Sequence, residues 1–241
     1  MSRALARLVV VLIVLLVVLV AADRVGAHLA SRAVADGLTR TERLGRTASV
    51  SFADLPFLSQ ATAGRYGTVD VTLEQLPTPA GLVVDRIDAT LHGVTAPTVP
   101  LLRGEVKELP VERGEAVAFV SFDSLERTAR ERLGSLVSGL TLGQATDGHR
   151  VSLSAAVRTP LGNYPVKGQV ELSVVRGAVA VRLLPQTLTG VPVGLRSQVA
   201  GLVDLTALTP ALPFGIRADG VTVEPSGLRV RASGTKLTIP I

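Results

Sequence analysis

Three histidines, 20 acidic side chains and no cysteine are the main stock from which this chain could build catalytic or metal chemistry. The missing cysteine removes disulfides, iron–sulfur clusters and thiol nucleophiles, without identifying a compartment. His28, His92 and His149 stand far apart, none in metal-ligand spacing. One falls in a helix-periodic stretch, one ends a strand pattern and one follows the turn Thr146-Asp147-Gly148, so each reads as a surface or turn residue. Asp85 and Asp88 are close in sequence, but strand alternation sends them to opposite faces. Asp123 reads as a helix N-cap. There is no G-x-S-x-G elbow, phosphate-binding loop or dinucleotide glycine pattern. Acid–base catalysis needs two convergent groups with separated pKa values, and no such pair stands out. The expectation is a protein that is not an enzyme, with no catalytic residue, metal or cofactor.

The arginines offer a different chemistry. There are 22, against three lysines (Lys107, Lys167, Lys236), and the net charge is +5. The planar guanidinium suits phosphate; an arginine-rich codon bias would leave the same count. Nucleic acid is not the expected partner, because the arginines are scattered among Asp and Glu with almost no aromatics for stacking. One stretch stands out: "LPFLSQATAGRYGTVDVTLEQL", Leu55 to Leu76. The chain has five Phe and two Tyr, yet Phe52, Phe57 and Tyr66 gather around this loop, beside Leu58 and Arg65. Two readings are open. These side chains form the mouth of an apolar groove or a foot in a membrane surface, with Arg65 on a phosphate. Alternatively they plug one end of a sheet, with Arg65 paired to a neighbouring carboxylate.

The elements that would position them begin with an address. Residues 1–7 are basic, and "LVVVLIVLLVVLVAA", Leu8 to Ala22, has no polar residue. As helix it spans roughly 22 Å, less than the ~30 Å hydrocarbon core, which fits a signal peptide or a short anchor. Residues 1–22 are therefore read as signal peptide or membrane anchor, and 23–45 as a juxtamembrane amphipathic helix. The positive-inside rule puts the body, 46–241, outside the cytoplasm, in the periplasm or cell envelope. In the body the period switches to two. Strands are expected at Thr68–Leu76, Leu82–Leu91, Ala116–Phe122, Arg150–Arg158, Val166–Val175, Ala178–Leu184, Val221–Glu224, Leu228–Ala232 and Lys236–Ile239. The tight turns "PTPAG", "VRGA" and "EPSG" make the sheet antiparallel, with one wet face and one dry face. "DSLERTARERLGSLVSGL", Asp123 to Leu140, is expected as a helix with a capping box and an apolar face that includes Leu133, Leu136 and Val137. "GLRSQVAGLVDLTAL" repeats the pattern. The class is α+β, and the residues alone leave open a fully packed core or an incompletely closed apolar groove.

"LPFLSQATAGRYGTVDVTLEQL", "GLVVDRIDATLHGV", "VSFDSLERTARERLG" and "LPFGIRADGVTVEPSGLRVRASGTKLTI", in this order, resemble the LmeA-like phospholipid-binding family of actinobacterial envelope proteins. The most specific pieces are Pro56–Arg65 and the "LPFG" run that contains Phe214. The resemblance implies a strongly curved antiparallel sheet wrapped around one or more long helices, a tubular, BPI-like architecture with an apolar groove. It implies non-covalent binding or transfer of phospholipids, anionic ones especially, at a membrane surface, in support of lipoglycan or envelope lipid biogenesis. The candidate lipid-binding residues are Phe52, Phe57, Leu58, Arg65, Tyr66, Leu133, Leu136, Val137 and Phe214. The alternative is an envelope scaffold whose partner is a membrane enzyme such as a glycosyltransferase.

Overall fold

The computed structural model describes residues 17–32, 48–54, 56–78, 81–97, 99–100, 103, 105–106, 108–134, 137–159, 162–193 and 216–240. Its helices include α1 (17–32), α2 (Phe57–Ala63) and α3 (Phe122–Leu133), with a 3-10 turn at Pro185–Thr187. Its strands are β1 (Ser49–Phe52), β2 (Arg65–Pro77), β3 (Val83–Thr95), β4 (Glu108–Ser121), β5 (Val137–Gln144), β6 (Arg150–Thr159), β7 (Gly162–Val175), β8 (Ala178–Leu183), β9 (Arg217–Glu224) and β10 (Gly227–Pro240). The class is α+β, mostly antiparallel sheet. The strands form two sheets rather than one: six strands ordered β1-β2-β3-β4-β10-β9, and four ordered β5-β6-β7-β8.

The expected turns set the hairpins. Arg176 and Gly177 both take positive φ between β7 and β8, the geometry of a two-residue hairpin turn. Residues Pro225 and Ser226 turn β9 into β10. The six-stranded sheet separates its faces row by row. One row is Val71, Ala89, Ala116 and Ala232; the next is Leu73, Ile87, Ala118, Val230 and Val221. The opposite face carries Asp70, Thr72, Asp88, Thr90, Glu115 and Arg231 at the intervening positions.

Two apolar clusters hold the ends of the dry face. The first joins Val50, Phe57, Tyr66, Val69, Val94, Val111 and Leu237, with Ala27 and Ala30 of α1 against it. Leu237 reaches this cluster because Gly93 and Lys236, in one cross-strand row, both take positive φ and disturb the alternation there. Gly114 sits beneath Leu237 and Leu91; a Cβ on it would come within 2.8 Å of Leu237. The second cluster joins Phe122 of α3, Val151, Val166, Val170, Leu183 and Leu188 to Val223, and so docks the small sheet on the large one.

The expected helix from Asp123 to Leu140 is corrected. It stops at Leu133, and Val137 belongs to β5, paired with Val157. Gly134 ends the helix with φ 54° and ψ −131°, a conformation suited to glycine. The N-cap is Ser121 rather than Asp123: its Oγ accepts from the Ser124 N–H at 3.2 Å. Glu126 does not close a capping box but accepts from the Leu142 N–H at 2.7 Å, tying α3 to β5. Leu228–Ala232 and Lys236–Ile239 are parts of one strand, β10. The helical pattern in "GLRSQVAGLVDLTAL" lies outside the described residues.

Candidate functional site

The stretch from Pro56 to Arg65 is a small machine for holding an aromatic cluster. Pro56 precedes α2 in extended backbone, and Gly64 ends it with φ 65°, a left-handed cap that glycine takes without strain. Gln60 staples the loop: its Nε2 donates to the Asp54 carbonyl and its Oε1 accepts from the Gly67 N–H, both at 2.8 Å. A Cβ on Gly67 would lie 2.2 Å from Asp54 Oδ2, so a larger residue there would require the Asp54 side chain to move. The result packs Phe52, Phe57 and Tyr66 as a triangle with ring centroids 5.0, 5.1 and 6.0 Å apart. Such pairs add roughly 0.5–1.5 kcal/mol beyond their buried area.

The geometry is that of a plug rather than an open mouth. Phe57 and Tyr66 are buried and Phe52 is half-buried; Leu58 is 41% exposed. Arg65 faces solvent, its Nη2 3.2 Å from Glu112 Oε1, with both side chains about two-thirds exposed at 69% and 68%. Val137 is half-buried in β5, away from the helix face on which it was expected. The side chain of Leu133, and the whole of Leu136 and Phe214, lie outside the described residues.

The histidines stay apart. His28 is exposed on α1, His92 lies within β3 with Nδ1 3.4 Å from Thr68 Oγ1, and His149 follows its turn. Among the described residues no group of His, Asp and Glu could hold a metal ion. Asp85 and Asp88 do diverge. Asp85 accepts from the Ser121 N–H at 2.7 Å and from Ser124 Oγ and Gln75 Nε2, each at 3.1 Å. Burial pushes its pKa up, but these hydrogen bonds together outweigh that and hold it below the ordinary value. Asp88 sits on the wet face, gripped by Arg86 Nε and Nη2 and by Thr72, and its pKa is lowered chiefly by the Arg86 hydrogen bonds. Both carboxylates are thus engaged in structure.

Two shallow grooves, of about 640 and 470 Å³, have linings that mix polar and apolar residues. The larger runs along Asp70, Thr72, Asp88, Thr90, Glu115 and Arg231 and also touches Val71, Ala89, Ala116 and Ala232; the smaller runs along Thr141, Ser152, Ser154, Lys167 and Gln169 of the small sheet. Neither is the apolar channel that was expected.

An apolar strip of intermediate burial lies on the dry face between the two clusters. Val71, Leu73, Ile87, Ala89, Ala116, Ala118, Val221 and Val230 are all only half-buried. Three central positions, Ala89, Ala116 and Ala118, are alanines, so the floor is low where the rows meet. Sequence reasoning missed these residues as a site. Alternation marked their faces, but only the strand order aligns them into rows.

Helix α1 spans the expected boundary between residues 22 and 23. Among the described residues no helix is long and apolar enough to cross a membrane; Leu8 to Leu16 lie outside them.

No curated protein and no solved structure matches this chain. The family described as LmeA-like phospholipid-binding matches residues 21–233, nearly the whole length, from within α1 to within β10. The chain belongs to the LmeA-like phospholipid-binding family.

Proposed function

We propose that this protein is an extracytoplasmic phospholipid-binding protein of the cell envelope that lays acyl chains along the dry face of its large sheet. The head group stays at the polar rim. The observation that carries the reading is the pair of apolar rows, Val71-Ala89-Ala116 and Leu73-Ile87-Ala118-Val230-Val221, left half-buried in a chain of a phospholipid-binding family. Each CH₂ group removed from water contributes about 0.8 kcal/mol, so a diacyl lipid is held firmly without any covalent step. The role proposed is carrying or presenting lipid in lipoglycan or envelope lipid biogenesis. The tubular architecture enters here as the way such a face would be enclosed around the chains.

The test is native mass spectrometry of the full-length protein released from membranes in mild detergent, followed by lipid extraction. Phospholipid adducts are expected. Ala118→Trp, in the middle of the five-strand row, should reduce them while leaving the melting temperature nearly unchanged, because on this reading the space above the half-buried Ala118 is filled by lipid and not by side chains. In a closed core the same substitution would cost about 1–3 kcal/mol by overpacking. A stable protein carrying no lipid would turn the account toward the envelope scaffold with a membrane-enzyme partner.

A further inference from the structure

Helix α1 has three faces, and among the described residues one of them packs on the body. Residues four apart share a face of a helix. The first face docks. Asp23 is buried, and its Oδ1 accepts from the Leu58 N–H at 2.7 Å. That N–H opens α2, whose preceding residue, Pro56, makes no side-chain cap. Ala27 and Ala30 pack on the first core cluster, and a Cβ on Gly26 would lie 3.6 Å from both Leu58 and Phe57. α1 is thus clamped to the aromatic plug through a carboxylate at a helix N-terminus and a seam of small residues.

The second face points away from the body. Val18, Val25 and Leu29 are 58%, 59% and 60% exposed, and Leu58 lies beside Gly26 at the edge of this stripe. Six of the large apolar side chains that stand exposed belong to α1. The third face is basic: Arg24, His28 and Arg32, spaced i, i+4 and i+8, all exposed, with no ion-pair partner among the described residues. Residues 17–22 continue the apolar run that begins at Leu8.

We propose that α1 is a membrane-docking surface for anionic phospholipid bilayers. It lies obliquely in the interface, Val25, Leu29 and Leu58 among the acyl chains and Arg24, His28 and Arg32 against lipid phosphates. An apolar stripe flanked by a basic one is the pattern of interfacial helices, and both bind a bilayer together. Because Asp23 ties α1 to α2, the helix would hold the body at a fixed tilt on the membrane, instead of leaving it to swing on a tether. The proposal rests on the phospholipid reading for its choice of partner, but names a contact separate from the dry face of the sheet.

The chain has no cysteine, so Leu29→Cys gives a single attachment point for an environment-sensitive fluorophore. The full chain is reconstituted in phosphatidylcholine vesicles, with or without phosphatidylglycerol, and quenched by nitroxide-labelled lipid. Quenching should rise with phosphatidylglycerol and fall in high salt. A label on Ser173→Cys, in the exposed part of β7, should stay unquenched. Arg24→Gln with Arg32→Gln should weaken the bilayer-contact equilibrium by roughly tenfold or more, with circular dichroism unchanged. Quenching that ignores phosphatidylglycerol, or that the arginine substitutions leave as it was, overturns the proposal. The same variant should still carry lipid in native mass spectrometry. A wild-type protein without bound lipid, but with anionic-lipid-dependent quenching at position 29, would remove the acyl-chain site and leave this surface standing.

Discussion

Asp85 shows how much one carboxylate can organise. Its Oδ2 accepts from the Ser121 N–H and its Oδ1 from Ser124 Oγ, drawing the start of α3 onto β3, and the same Oδ1 accepts from Gln75 Nε2 of β2. Its folded pKa lies below the ordinary 3.8. A carboxylate with a depressed folded pKa contributes stability that is present above the unfolded pKa and lost as pH falls through the folded one. Wild type should therefore lose stability below about pH 4 more steeply than Asp85→Asn, while the variant should be the less stable protein at pH 7. Urea melts at both pH values check the sign. The aromatic plug gives a contrasting pair. Phe57→Ala should cost about 3–5 kcal/mol, because it empties a closed cluster. Arg65→Ala should change stability by only about 0–1 kcal/mol, since its partner Glu112 is as exposed as itself. Thermal melts of the two variants decide it, and a large loss for Arg65→Ala would mean that the ion pair, not the rings, holds the loop.

The elements show what was legible and what was not. The long hairpins follow from period-two alternation between turn signals, and most of their ends shift by a few residues. The overlong helix had no such signal against it. Leu125, Ala129, Leu133, Leu136, Val137 and Leu140 keep helical spacing straight through Gly134, and only the glycine's conformation breaks it. Strand β5 hides its own alternation behind a bulge between Ser138 and Thr141, where Gly139 takes φ 62°. Helix α2 was signalled by Pro56 ahead of it and Gly64 after it, and passed as loop because it has only seven residues. The aromatic cluster was visible as a cluster; that it faces inward depends on the Gln60 staple and on β1, both beyond any pattern in a short window. The clamp between α1 and α2 was not legible at all, because Asp23 and Leu58 lie 35 residues apart. Asp23→Ala should cost about 0.5–2 kcal/mol, the scale of a lost N-cap. It should also lower the yield of a short bis-maleimide cross-link between Gly26→Cys and Ser59→Cys, and an undiminished yield would show that the small-residue seam alone holds the helix.

At the scale of the whole molecule, the address and the binding face belong to one account. On the proposed reading, the Arg3 and Arg7 flank and the apolar run from Leu8 to Ala22 would direct the body out of the cytoplasm. A reporter active only outside the cytoplasm, fused after Ile241, should be active; silence would withdraw the envelope role and the anchor together. Within the body, two clusters bracket a strip of half-buried alanine, valine, leucine and isoleucine. The central claim is that acyl chains cover that strip. The chain has no tryptophan, so Ala118→Trp or the more peripheral Val221→Trp introduces a single fluorescent reporter on it. The most direct measurement is the emission of Val221→Trp as phosphatidylglycerol is titrated into delipidated full-length protein. The account predicts a blue shift that saturates, with Ala118→Trp weakening lipid uptake measured in parallel by native mass spectrometry. An emission maximum that stays at its starting wavelength while the protein remains folded, with no lipid adduct at any concentration, would contradict it.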